Sequence, residues 1–224
     1  MKFITHIRNK TLFIGSLILI LLSIGCGSFF GLDSSADLPC PIPTEMMGTR
    51  GEDFIAFTFD NQSCTTICDL SISPSSCDDY GFNWLRDRTI PSGSQATFYL
   101  PPGKYDLWIE DCTEESYIME KLKLTEDQVA SLTEGDEDSA VVCANSLTVI
   151  NHSDIPICHM WIAAPWSESF GWNWLGTGQI GVGESRTFVV PEGVYDLKAE
   201  GCGFEFLKVE LDIEIKDSFE WVVP

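Results

Sequence analysis

Positive charge and histidine are the scarcest resources in this chain of 224 residues. Thirteen Lys and Arg stand against 34 Asp and Glu, for a formal charge of −21, and only three histidines are present. A surface this acidic repels phosphate backbones and anionic headgroups, which excludes a nucleic-acid partner. The scarcity of histidine leaves little for acid–base chemistry: beyond the first few residues there are only His152 and His159. Also missing are a nucleophile elbow, a P-loop, an HExxH pair, any CxxC and any Cys/His cluster at zinc spacing, so no cofactor is expected. Sustained helical periodicity is almost absent, and no apolar run is long enough to cross a bilayer.

Cysteine, by contrast, is abundant. Nine cysteines suit an exported chain in an oxidising compartment better than a cytosolic one. The N-terminus agrees: the basic flank MKFITHIRNK precedes the apolar TLFIGSLILILLSIGC, the form of an export signal over residues 1–25. Its end resembles the lipobox of bacterial lipoproteins, with Gly25 before Cys26, although Ser23 stands where Leu is usual. That resemblance implies cleavage before Cys26, lipidation of its thiol and membrane attachment through acyl chains. Residues 26–52 mix Gly, Ser, Pro and Asp without a period and read as a flexible tether. With Cys26 lipidated, eight cysteines remain, enough for four disulfides.

The chain writes one phrase twice. Residues 68–112 and 158–202 match at 17 of 45 positions at a constant offset of 90 and without a gap. Shared residues include Gly81-x-Asn83-Trp84-Leu85 and Gly171-x-Asn173-Trp174-Leu175, then Pro101-x-Gly103-x-Tyr105-Asp106-Leu107 and its partner. Two copies act as an internal control, in which shared features are architectural and unshared ones are candidates for specialisation. Each copy reads as short strands between turn residues, with Tyr105, Leu107 and Ile109 alternating against polar neighbours. The expected architecture is all-β: two tandem antiparallel β-sandwich domains, Ig-like or transthyretin-like, over 53–143 and 144–224.

Cys68 and Cys112 lie 44 apart, as do Cys158 and Cys202, which predicts an equivalent bridge in each domain. Each is worth ~4 kcal/mol by loop entropy. Cys112 is out of phase with the Tyr105 face, so the bridge requires a bulge or an early strand end. Cys40, Cys64, Cys77 and Cys143 permit three pairings. Thr125-Glu-Asp-Gln128 has the form of a capping box, and with Val129 and Leu132 it predicts a short helix, an insertion ahead of the last strand of copy one.

The repeated phrase resembles a family of uncharacterised bacterial secreted repeats with the pattern ISPS…WGxNWLG…PxGxYDL…C. Copy one keeps Ile72-Ser73-Pro74-Ser75, and copy two departs to Ile162-Ala163-Ala164-Pro165. The resemblance implies a small extracytoplasmic β domain and brings no reaction.

Candidate sites follow from what the copies do not share. Tyr80, Phe82 and Trp84, and Phe170, Trp172 and Trp174, recur at period two and could occupy one strand face. Trp161, Trp166 and Trp172 belong to copy two alone and are candidate glycan-binding residues, because aromatic faces stack on the C–H faces of sugars. Asp78 and Asp79, with the acidic turn Asp136–Asp138, are weak calcium candidates without EF-hand spacing. Asn61-x-Ser63 and Asn151-x-Ser153 have the form of glycosylation sequons and are read as Asx turns. Gly176-x-Gly178-x-x-Gly181 matches a dinucleotide fingerprint without its strand–helix context and is read as a glycine-rich turn. The expected function is that of a non-catalytic cell-envelope lipoprotein, a binding or structural module for a glycan or protein ligand. The alternatives are a carbohydrate-binding adhesin and an extracytoplasmic hydrolase built on His159.

Overall fold

A computed structural model describes residues 6–7, 40, 53–133, 143–167 and 169–224. The rest of the expected signal segment, Cys26, the acidic turn Asp136–Asp138 and Glu168 lie outside them. The described chain is all-β. Its strands are β1 (His6–Ile7), β2 (Ile55–Gln62), β3 (Ile67–Pro74), β4 (Gln95–Leu100), β5 (Gly103–Asp111), β6 (Ser116–Leu124) and β7 (Gln128–Thr133). In the second repeat come β8 (Ser146–Asn151), β9 (Ile157–Ala163), β10 (Ser185–Val189), β11 (Gly193–Gly201), β12 (Phe206–Ile215) and β13 (Ser218–Val223).

The two repeats share one plan. In repeat 1 the sheets are β7-β2-β4, extended at its edge by β1, and β3-β5-β6; in repeat 2 they are β10-β8-β13 and β12-β11-β9. Each repeat is thus a sandwich of two small sheets, antiparallel except that its first and last strands pair in parallel: β2 with β7 and β8 with β13. Strict alternation builds both cores. Ile55, Phe57 and Phe59 point inward from β2, and Tyr105, Leu107 and Ile109 do so from β5. Leu147, Val149, Tyr195, Leu197 and Ala199 are their counterparts in repeat 2.

The helix expected from Thr125–Leu132 is not there. Gln128–Thr133 is β7, paired in parallel with β2, with Ala130 and Leu132 buried. Inside the apparent capping box, Asp127 Oδ1 accepts a hydrogen bond from the Ala56 N–H, 2.8 Å away, and so fastens the segment to β2. Nor is the segment an insertion. It is the last strand of repeat 1, and β13 is its equivalent, with Trp221 and Val223 filling the positions of Ala130 and Leu132. A three-residue apolar spacing fits one helical turn, but burial against a partner strand wins over local propensity here.

The repeated phrase is not a strand either. Residues around Tyr80–Leu85 form a loop, so the expected aromatic row does not exist as a strand face. The loop is held by Asn83, whose Oδ1 accepts from the Leu70 and Leu85 N–H groups and whose Nδ2 donates to the Cys68 carbonyl. Asn173 makes the same three bonds to Met160, Leu175 and Cys158. Asn thus ties the loop to the neighbouring strand, and the Trp after it plugs the core. Trp84 and Trp174 are both buried.

Other shared residues have equally definite tasks. Asn61 and Asn151 are Asx hubs: Oδ1 accepts from the N–H and hydroxyl of the Ser two residues on, and Nδ2 donates to two carbonyls. Both amides are wholly buried, which rules out glycan attachment to the folded chain. Tyr105 and Tyr195 donate to the carbonyls of Pro101 and Pro191, closing the Pro-x-Gly turn over the sheet edge. Burial, with the Asp111 carboxylate nearby, pushes the Tyr195 phenol up to about 12.

Four disulfides brace the chain: Cys68–Cys112 and Cys158–Cys202 as expected, with Cys40–Cys77 and Cys64–Cys143 resolving the open pairings. The phase difficulty at Cys112 is met by a bulge. The β3–β5 register skips Cys68, and the β9–β11 register skips Cys158. Four bridges fit the oxidising environment found outside the cytoplasm.

Candidate functional site: an aromatic sheet face on repeat 2

The outward face of β9-β11-β12 differs most between the copies. In β9, His159 and Trp161 stand opposite Glu200 and Lys198 of β11, on the side of the sheet away from the core. The rings form a continuous stack. Phe204 lies 4.3 Å from His159 at 15°, and His159 lies 5.6 Å from Trp161 at 16°. Beside it, Lys198 Nζ sits 4.7 Å from the Trp161 ring and 5.4 Å from Phe170, and pairs with Glu200 at 2.7 Å. A cation between two aromatic faces locks both rings.

Along the edge strand β12 the surface continues apolar. Phe204 is 67% exposed and Phe206 64%, followed by exposed Val209 and Leu211. Four large apolar side chains exposed within eight residues are more than the scattered single hydrophobes of an ordinary surface. The equivalent positions of repeat 1 carry Asp69 for His159, Ser71 for Trp161, Glu114 for Phe204 and Ser116 for Phe206. Repeat 1 keeps an aromatic pair there, Trp108 against Tyr80 at 5.6 Å, but no platform.

The three candidate tryptophans are placed in three different settings. Trp161 is half-buried in the stack. Trp166 is 84% exposed, on the loop after β9. Trp172 is not on a free surface: it packs against the core of repeat 2 and its Nε1 donates to Glu110 Oε1 of repeat 1 at 3.0 Å. Phe204 and Phe206 are not among the sequence candidates; the replacement of Glu114 and Ser116 by phenylalanine in repeat 2 is the signal that marks them.

No catalytic constellation is assembled among the described residues. His159 Nδ1 is committed to the Gly201 carbonyl at 3.0 Å, and its ring is held between Phe204 and Trp161. The buried acid is Asp111, whose carboxyl is pushed above the ordinary range by desolvation; its Oδ1 accepts from Thr113 and Glu115, a turn-forming role. Asp78 and Asp79 line a cavity of about 90 Å³ with Asp106, but Asp79 is engaged with the Gly81 N–H. Among the described residues no three acidic, His or Cys side chains come together as a metal site. A groove of about 270 Å³ between Leu85–Pro91 and β4 offers neither carboxylate nor imidazole.

The fold defines a class: a disulfide-braced, two-repeat all-β protein with one aromatic face. No family model and no curated protein matches the chain. Among solved structures it is similar to the Bacillus anthracis TIE protein, with 13% identity and a TM-score of 0.27, covering 75% of this chain and 34% of that one. This chain therefore spans about a third of that protein's length, and the likeness carries no function across.

Proposed function

We propose that the chain is a non-catalytic binding module of the cell envelope, held at a membrane by lipid on Cys26, with the outward face of β9-β11-β12 as its recognition surface. The observation that carries the reading is the Phe204–His159–Trp161 stack, exposed at its Phe204 end, which only one of two otherwise equivalent repeats possesses. The stack leaves free the outer face of Phe204 and the neighbouring Phe206, 67% and 64% exposed, and a pyranose C–H face packs on such rings, which favours a carbohydrate as ligand.

Glycan-array binding by the full chain, followed by titration calorimetry, tests this. Trp161→Ala and Phe204→Ala should each weaken a hit at least tenfold, whereas Trp108→Ala should leave it unchanged. Equal loss in all three, or no hit with folded protein, removes the carbohydrate reading. Anchoring is tested separately by Cys26→Ser, which should move the protein from the membrane to the soluble fraction. A hydrolytic role would require turnover that His159→Ala abolishes, and none is expected.

A further inference from the structure

The two repeats touch through unlike surfaces. Repeat 1 contributes the Cys68–Cys112 bridge, which joins the core cluster of repeat 2, together with Glu110, Glu114 and the Asp87–Thr89 backbone. Repeat 2 contributes the loop holding Ser167, Gly171, Trp172 and Gly176. A contact between different faces of similar units is heterologous, and a pair of units leaves one copy of each face unused. The face that repeat 1 uses must therefore exist again on repeat 2. It does, as the Cys158–Cys202 bridge, Glu200, Phe204 and residues 177–179, and there Thr177, Gln179, Cys202 and Phe204 are exposed. Gln179 stands beside Cys158, with Oε1 3.8 Å from the sulfur, so these residues form one continuous surface.

The loop face of repeat 1 differs from that of repeat 2 at the position where contact is closest. Gly176 has φ +57°, and a Cβ built on it would lie 2.7 Å from the Asp87 carbonyl oxygen and 3.3 Å from Arg88 Cα. Only glycine allows that approach, because the obstacle is backbone. Its equivalent is Arg86, held at nearly the same φ of +56°. Repeat 1 also has Phe82 in place of Trp172, without the N–H that reaches Glu110.

We propose that the exposed end of repeat 2 is a docking face for a further β-sandwich repeat of the same construction, carried on another chain and bearing glycine where Gly176 stands. Arg86, together with Cys77 bridged to Cys40 where repeat 2 has Ser167, keeps this chain's own repeat 1 from filling that role. The inference goes beyond the recognition surface described above and does not depend on it: the two surfaces share Phe204 and Glu200, but the docking face is set by the Cys158–Cys202 bridge and residues 177–179.

The probe is the chain itself with its repeat-1 loop converted to the repeat-2 form, Phe82→Trp with Arg86→Gly, made in a chain that also carries Cys77→Ser and Cys40→Ser, because Cys77 is bridged to Cys40 where repeat 2 has Ser167. Sedimentation velocity on the wild type should give a monomer at every concentration. The converted chain should form open, concentration-dependent head-to-tail oligomers, and adding Thr177→Trp on the receiving face should return it to monomer. Arg86→Gly alone, which relieves a positive φ and so keeps the fold, should associate at least tenfold more weakly than the double variant. A folded double variant that stays monomeric overturns the docking face. A wild type that already assembles, and loses assembly with Thr177→Trp, overturns the role given to Arg86.

Discussion

The same loop, bridge and corner serve both repeats, yet one copy of each meets protein and the other meets water. Cys68–Cys112 is buried against repeat 2, whereas Cys202 is exposed in Cys158–Cys202. At the end of β5 stands the carboxylate of Asp111, and at the end of β11 Gly201 takes its place, both buried. Trp84 Nε1 donates to the Ile72 carbonyl at 3.1 Å, and Trp174 Nε1, equally buried, finds no partner. Duplication conserved the scaffold, and the difference in burial then freed repeat 2 to change what it presents. An outward position under a neighbour must stay compatible with that neighbour, while an outward position in solvent can become Phe without cost to the core.

The largest test of this comparison is removal of the shared plug. Trp84→Ala and Trp174→Ala should each cost about 3–5 kcal/mol in urea denaturation, because both side chains fill a core. A small loss at either position would break the equivalence of the repeats. Replacing Trp by Phe sharpens it: Trp84→Phe should cost ~1 kcal/mol more than Trp174→Phe, because only Trp84 gives up a made hydrogen bond.

The disulfides separate by access rather than by energy. Under native conditions a thiol reductant should open Cys158–Cys202 well before Cys68–Cys112, as read by alkylation and mass mapping of the freed thiols. Simultaneous opening would mean that the buried face is transiently exposed, and that the two repeats part readily.

The smallest effect concerns Asp111. Burial raises its pKa in the folded state, so the folded chain holds that proton more tightly than the unfolded one. Its contribution to stability is then complete below the ordinary value of about 3.9 and declines as pH rises through the folded-state pKa. Asp111→Asn should flatten that part of the stability profile while keeping the turn, since an amide oxygen can still accept from Thr113 and Glu115. An unchanged profile would assign the slope to other carboxylates.

Much of this molecule is legible in one copy of its sequence because the second copy checks it. The alternation in Tyr105–Ile109, the equal Cys spacing and the two Asx turns all depend on local chemistry, and local chemistry is what a sequence displays. The misreadings share a different cause. Gln128–Thr133 looks helical until β2 is known to lie beside it, and Trp172 looks free until Glu110 is placed above it. Both depend on partners far away in the chain. Phe204 and Phe206 were visible as substitutions, but their exposure follows from β12 lying at a sheet edge, which residue order does not reveal.

Parallel pairing of first and last strands has a mechanical meaning. When such a domain is pulled by its two ends, the ladder between β2 and β7 is loaded in shear, so its bonds must fail together and cannot unzip singly. The Cys64–Cys143 bridge takes that ladder out of the load path until it is reduced: a covalent bond joins the point just past β2 to the point just before repeat 2. Tension applied N-terminal to Cys40 therefore reaches Cys143 through the Cys40–Cys77 and Cys64–Cys143 bridges, and repeat 1 can be stretched only by the short length that its bridges leave outside.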